Sequence, residues 1–382
     1  MMNDEANMSG RTYAEVFPPG DFLREELDAR NWTQNDLATV LGRSPRLVNE
    51  IISAKRSITP ETANALAKAF GTSAELWMNL ESVWQLSNLA AENDAIARRS
   101  RLYSKFPVKE MMKRGWIEAS QSIEVLEARF QQFFELPSLD DEPEIARAFR
   151  KQDAENVPTA LQLAWLFRAR QIAKKAVVDK FSQDSLSKCF DELRALLPSA
   201  EEIRHVPKIL AAAGIRLVVI EALPGSKIDG VCFWLDAKSP VIAISIRYDR
   251  IDWFWFTLLH ELRHVANGDG KEVAVLDLNL VGDDADRDNV SALERCADCE
   301  AQEFLIPQRE LDNFVARVRP LYAEIRIIGF ASRIQVHPGV VVGRLQRARE
   351  ISYANLRKHL VKIRGVIMPT ALVDGWQSTL SA

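Results

Sequence analysis

Two histidines four residues apart, with a glutamate directly after the first, form the phrase His260-Glu261-Leu262-Arg263-His264. The run that enters it, Trp253-Phe254-Trp255-Phe256-Thr257-Leu258-Leu259, is apolar, so the phrase reads as the end of a buried helix. On a helix His260 and His264 share one face, one turn apart. Two neutral imidazoles there can hold one Zn2+, each Zn–N bond about 2.0–2.1 Å. Glu261 points to one side, where it can serve a water at the metal as general base without coordinating the metal itself. The same pattern also fits a buried helix with two satisfied histidines, and a third ligand has to decide between them.

The stretch Ser291 to Pro307 supplies candidates. Leu293, Ala297, Ala301 and Phe304 fall at helical spacing and predict a helix with one apolar face, stopped by Pro307. Glu294, near its start, is the choice for third protein ligand, which leaves a fourth position open for water as a catalytic zinc site requires. Glu300 and Glu303 compete by type but are expected to face solvent. Asp269 can either orient a histidine or end the first helix at the surface. His337 can either assist at an oxyanion or simply begin a helix. Cys296 and Cys299 have no further ligands nearby and read as packing thiols. His205 and His359 belong to no constellation and are expected at the surface.

An apolar run, H-E-x-x-H, then Glu294-x-x-Ala297-Asp298 and Phe304-Leu305-Ile306-Pro307 is similar to the ImmA/IrrE family of metallopeptidase domains. The resemblance implies one zinc per chain on His260, His264 and Glu294, with Glu261 as base. The phrase His337–Gln346 also occurs in relatives that fuse such a domain to a helix-turn-helix head. Two positions depart from the family: Arg263 stands where a small residue is usual, and Glu300 where an aromatic is usual. Arg263 is expected to set a cation beside the metal face, opposing metal binding or lowering the basicity of Glu261. In two-protein systems of this family the peptidase cuts a helix-turn-helix repressor. The implied substrate is therefore a regulator protein or this chain itself.

The elements that must position these residues begin near Ile203. Ile215–Ile220, Val231–Leu235 and Val241–Ile246 are strands by their β-branched content. A small sheet packed on the H-E-x-x-H helix is the scaffold of a zincin-like peptidase, and its edge strand could hold an extended peptide by strand addition. The acidic stretch 270–289 is expected to be a mobile loop, and two helices are expected after Pro307.

At the other end, residues 1–17 read as a mobile tail and residues 18–90 as a compact five-helix unit. Phe22, Leu23, Leu27 and Trp32 supply its first apolar face. Thr33 caps a helix over Gln34–Leu41, Gly42 permits a sharp turn, and Ser44 caps a third helix opening with Pro45. Thr59 opens a fourth and Ala74 a fifth. Helix, glycine turn and helix is the layout of a DNA-binding helix-turn-helix. Leu37, Ala38, Leu41, Val48, Ile51 and Ile52 face inward. Ser44, Arg46 and Asn49 face outward, where Arg can read guanine and Asn adenine. Gln34, Lys55 and Arg56 can bind phosphates, and with Arg43 they form a local basic patch opposed only by Glu50.

The words Leu37-Ala38-x-x-Leu41-Gly42, Ile51–Thr59 and Ala69–Leu80 resemble the HigA-type antitoxins of the Cro/repressor (lambda-repressor-like) superfamily. That resemblance implies double-stranded operator DNA as ligand, a homodimer on a palindrome, autoregulation, and a cognate toxin as partner.

Bulk properties fit such a regulator. The chain has 382 residues, room for two or three domains, and a net charge of −4, against nucleic-acid coating over the whole surface. It has no run of about 18 apolar residues and no signal-peptide core, so no membrane contact and a cytoplasmic location are expected. Four cysteines make no disulfide framework. Residues 91–202 read as a helical region for spacing, dimerisation or sensing, and 203–382 as the metallopeptidase domain. The expected fold is mainly α with an α+β C-terminal domain. Two functions follow. One is a DNA-binding regulator carrying a zinc endopeptidase. The other is a non-catalytic antitoxin or repressor whose C-terminal domain is a metal-stabilised sensor or toxin-binding module.

Overall fold

The computed structural model describes residues 16–376 other than 89, 153–156, 279 and 281–290. It divides into two compact units, residues 1–101 and 102–382. The expected tail falls almost entirely outside the described residues, as does the greater part of the acidic stretch after Leu280.

In the first unit five helices follow the turn chemistry closely: α1 (Pro19–Arg30), α2 (Gln34–Leu41), α3 (Pro45–Ile52), α4 (Pro60–Phe70) and α5 (Ala74–Asn88). Thr33 and Asp36 close a reciprocal capping box at the start of α2. Gly42 adopts φ 61°, a left-handed backbone that suits glycine and turns the chain from α2 into α3. Ser44 and Thr59 cap α3 and α4, each followed by proline at the first helical position. Leu23, Leu27, Leu37, Ala38, Val48, Ile51, Ile58, Leu66 and Trp77 pack into one core. Phe22 is exposed, not inward as its neighbours suggested, because α1 turns Leu23 and Leu27 toward α3.

Helix α6 (Ala90–Lys105) is followed in the second unit by α7 (Val108–Lys113), α8 (Ile123–Phe134), α9 (Glu144–Gln152), α10 (Ala160–Lys174), α11 (Gln183–Leu196) and α12 (Val206–Ala212). From α7 on, this helical stretch shares one compact unit with the sheet. On α10 the Trp165 indole donates to the Ile220 carbonyl (3.1 Å), and the Gln162 amide donates to the Ser226 carbonyl (2.9 Å).

The sheet has five strands: β1 (Arg216–Val219), β2 (Ile228–Trp234), β3 (Pro240–Ile244), β4 (Val275–Leu278) and β5 (Leu372–Val373), in the order β4-β2-β3-β1-β5. β1 runs parallel to β3 and β5; β2 runs antiparallel to β3 and β4. All five residues of β3 are buried, so both faces of the sheet are covered. β4 lies inside the stretch expected as a loop. Its Val275, Leu276 and Leu278 suit a strand, and the open edge of β2 provides the partner.

Against the sheet lies α13 (Ile251–Asn267), and around it α14 (Ala292–Leu305), α15 (Gln308–Val318), α16 (Glu324–Arg333), α17 (Pro338–Arg347) and a short α18 (Arg364–Ile367). The expected mainly α chain with a small C-terminal sheet is thus the fold observed. Among the described residues no helix is long and apolar enough to cross a membrane.

The first unit's core is testable on one helix. Leu37→Ala empties a fully buried position on α2 and is expected to cost about 2–5 kcal/mol in chemical unfolding. Val40→Ala, at a position 53% exposed on the same helix, should change stability by less than about 0.5 kcal/mol. Equal losses at both positions would contradict this packing.

Candidate metal centre

Helix α13 is apolar nearly all round because β2, β3, α14 and α17 cover it on several sides. Its first turn is held by Asp252, which accepts from Arg250 at 3.0 and 2.8 Å, and its end by Gly268 in a left-handed cap. In between, His260, Glu261 and His264 are all buried. The two Nε2 atoms lie 3.0 Å apart, one turn separating their rings.

Helix α14 brings the third group. Ser291 caps it by accepting from the Glu294 amide (3.2 Å), which fixes Glu294 in the first turn. Ala297 and Ala301, both fully buried, give α14 a small-residue stripe against α13. Leu293, expected on that stripe, is exposed instead. The Glu294 Oε2 atom then lies 3.0 Å from His260 Nε2 and 3.6 Å from His264 Nε2. Glu300 and Glu303 are engaged elsewhere, Glu300 with Arg263 at 3.6 Å and Glu303 with the Gln308 amide at 2.9 Å.

Each imidazole is backed through its other nitrogen. Asp298 Oδ1 lies 3.0 Å from His260 Nδ1, and Asp269 Oδ2 lies 3.1 Å from His264 Nδ1. Asp298 is in turn held by Arg347 of α17 at 2.8 Å, whose guanidinium also lies 4.0 Å from the centre of the Phe256 ring. Rings that donate Nδ1–H to carboxylates can offer Nε2 lone pairs to a cation at the common centre, the arrangement metal-binding histidines use.

A fourth group was missed in the sequence. Asp277, on β4, joins His260, His264 and Glu294 so that one donor atom from each lies within 4.8 Å of the others. The signal was the apolar alternation around it, obscured by the acidic composition of the stretch. Also unforeseen was Gly230, opposite Asp277 in the β2–β4 ladder. A Cβ there would come within 2.0 Å of Glu261 Oε1, so only glycine leaves the carboxylate its space.

Burial would depress the His260 pKa, but Asp277, Asp298 and Glu294 together hold it well above the usual imidazole range. His264 is raised too, Glu294 and Asp277 outweighing its burial. Burial pushes the Glu294 carboxyl up, yet its bonds with both rings hold it well below the carboxylate range. Glu261 is driven well above that range by burial first and by the negative charge of Asp277 second. Neither Glu261 oxygen, nor Asp277 Oδ2, has a hydrogen-bond partner among the described residues. Buried carboxylates without donors, facing two imidazoles, form a centre that attracts positive charge. These residues fit a divalent cation in donor type, convergence and polarity.

Three expectations change. Arg263 does not face this centre; its guanidinium lies 4.4 Å from the Phe190 ring centre and beside Glu300, because its position on α13 points between α11 and α14. His337 is not among the converging groups. It caps α17, its Nδ1 accepting from the Gly339 amide at 3.0 Å. Cys296 and Cys299 are exposed on α14 and do not pack.

In the first unit, the outer side of α3 is exposed. Asn49 donates to Gln34 Oε1 (3.2 Å), linking the two helices of the motif. Ser44 is occupied as the cap of α3. Glu50 pairs with Arg46 (2.7 Å) and Arg56 (3.2 Å), while Arg43 and Lys55 form no ion pair among the described residues.

A Helix-turn-helix family model matches residues 23–77, and an IrrE N-terminal-like domain model matches residues 212–346. The chain is 30% identical over 87 residues to the uncharacterized HTH-type transcriptional regulator YddM of Escherichia coli K12, spanning 23% of this chain and 92% of that protein. It is 33% identical over 89 residues to virulence-associated protein I of Dichelobacter nodosus, spanning 23% and 82%. Among solved structures, the Pseudomonas aeruginosa antitoxin HigA with its promoter is 36% identical, with 22% of this chain and 91% of that chain covered and a TM-score of 0.21. The chain belongs to the helix-turn-helix transcriptional regulators and carries behind that head an IrrE N-terminal-like domain.

Proposed function

We propose that this chain is a DNA-binding transcriptional regulator whose C-terminal domain is a zinc-dependent endopeptidase acting on a regulator protein or on itself. The observation that carries the enzymatic half is the meeting of Glu294 with both His260 and His264 across two helices, beside a buried, unpartnered Glu261. Two imidazoles and a carboxylate are a donor set that suits zinc.

Zinc, when bound there, supplies Lewis acidity to a peptide carbonyl and makes water acidic. Glu261, whose oxygens have no hydrogen-bond partner among the described residues, would take a proton from that water on an Oε atom and return it to the leaving amine. Asp298 and Asp269 hold the ring tautomers by accepting at Nδ1. Arg347 positions Asp298. β4 is an edge strand, which supports an extended peptide as substrate by strand addition.

For the head, the exposed side of α3 supports major-groove recognition. Arg46 and Asn49 are the candidate base readers, and Gln34, Arg43, Ser44, Lys55 and Arg56 the phosphate contacts. Glu50 tempers this patch by pairing with two of its cations, and both must exchange Glu50 for DNA. A homodimer on a palindromic operator, in the cytoplasm, follows from this mode of binding. A cognate toxin is the protein partner this reading implies.

A second reading has one observation in its favour: Asp277 gives the centre a fourth protein donor. On that reading the domain is a metal-stabilised sensor or toxin-binding module in an antitoxin or repressor without turnover.

Three measurements test this. Metal analysis should find about one zinc per chain, with His260→Ala and Glu294→Ala depleted and Glu261→Gln still loaded. Incubation with helix-turn-helix regulators, and alone, should yield cleavage that Glu261→Gln abolishes; metal without cleavage would favour the sensor. In gel shifts on the chain's own promoter, Asn49→Ala should weaken specific binding by about 1–3 kcal/mol. Lys55→Ala should reduce the salt slope by about one unit. Indifference to promoter DNA at low salt would remove the regulatory half.

A further inference from the structure

We infer that Asp277 is itself a metal ligand, so that His260, His264, Glu294 and Asp277 form a closed shell and the domain as folded here has no position left for water. The inference rests on the metal-binding half of the proposed function and goes beyond its three-ligand site.

Four features of the structure carry it. Asp277 Oδ2 lies 3.4 Å from His260 Nε2, within the same group of converging donors as Glu294. The side chain is 4% exposed and that oxygen has no hydrogen-bond partner among the described residues. A carboxylate buried in this way is costly unless positive charge meets it, a part that the His260 ring plays here and a bound cation would take over. The strand's pattern is also inverted, since Asp277 is buried while Leu278 beside it is 43% exposed. A strand placed by hydropathy alone would turn its leucine inward. Finally, the β2–β4 register shifts between Ile228 and Gly230, and this irregularity sets Asp277 opposite the one residue on β2 that has no side chain. Bulges re-aim side chains in this manner at working sites.

Catalytic zinc sites keep three protein ligands and one open position, whereas sites with four protein ligands are structural. With Asp277 in place the site is of the second kind, and Glu261 has no water from which to take a proton. Withdrawal of Asp277 converts it to the first. β4 is four residues long and, among the described residues, pairs with β2 alone, so its withdrawal leaves those other strands paired.

The test uses full-length protein loaded with Co2+, whose visible ligand-field band reports coordination, and azide as an added ligand. The wild-type band is expected to be that of a four-coordinate ion and to ignore azide. Asp277→Asn, a near-isosteric change, should bind Co2+ about 10–100-fold more weakly in chelator competition, at least as much as losing an outer partner costs. Its band should respond to azide. Circular dichroism checks that the variant is folded; if it is not, the wild-type azide titration decides alone. An azide-sensitive wild-type band overturns the inference and leaves the three-ligand site standing. So does an Asp277→Asn affinity within twofold of wild type. Failure of the wild type to bind Co2+ at all overturns both.

Discussion

Two imidazoles and two carboxylates are buried around one point, with the half-buried Glu294 beside them, and the second unit is built to make that arrangement tolerable. Charges removed from water are costly unless paired. The pairing here is built in layers: Asp298 and Asp269 behind the rings, Arg347 behind Asp298, and the indole of Trp234 donating to the Asp269 carbonyl at 2.8 Å. The packing follows the same requirement. Ala297 and Ala301 on α14, and Gly230 on β2, are small where a larger side chain would push Glu294 or Glu261 away. A metal entering the centre would displace protons from Nε2 while the Nδ1 bonds stay, so the layer behind the rings serves both states.

The two units differ in how far their sequence disclosed them. In the head, each turn is decided within a few residues: Thr33 with Asp36, Gly42, Ser44 with Pro45, Thr59 with Pro60. Its helices could therefore be placed from the sequence nearly residue by residue. His260, Glu261 and His264 were legible for the same reason, since a helix of known period fixes their mutual geometry. Glu294 needed a second helix, and Ser291, whose cap sets its place in the first turn, gave that helix a local start.

What stayed illegible depends on contacts between distant segments. β4 is too short to show a period, and its acidic neighbours conceal four strand residues. The close approach at Gly230 is a property of α13 lying on β2, which no window of sequence contains. Arg263 was misplaced because helical spacing gives the angle of a side chain but not what stands there; Phe190, from α11, captures the guanidinium. His337 shows the reverse. The plain reading, a helix-start histidine, accounts for its ring bond, and Pro338 behind it completes a proline-led helix start.

The site's two states then reduce to the register of one edge strand. Successive side chains of a strand face opposite ways, so sliding β4 by one residue against β2 would exchange Asp277 for a leucine at the centre. Edge strands resist such slips weakly, because they are paired on one side only. In β4 the resistance comes from the irregularity at Asp229 and Gly230, and a cation held by Asp277 would add to it. With Asp277 in the metal shell, that bond would fix the strand, and the strand would close the shell. A peptide adding to the edge of β4 opposite β2 would act on the same register. On the proposed reading, substrate engagement and opening of the metal shell would be coupled through a four-residue strand.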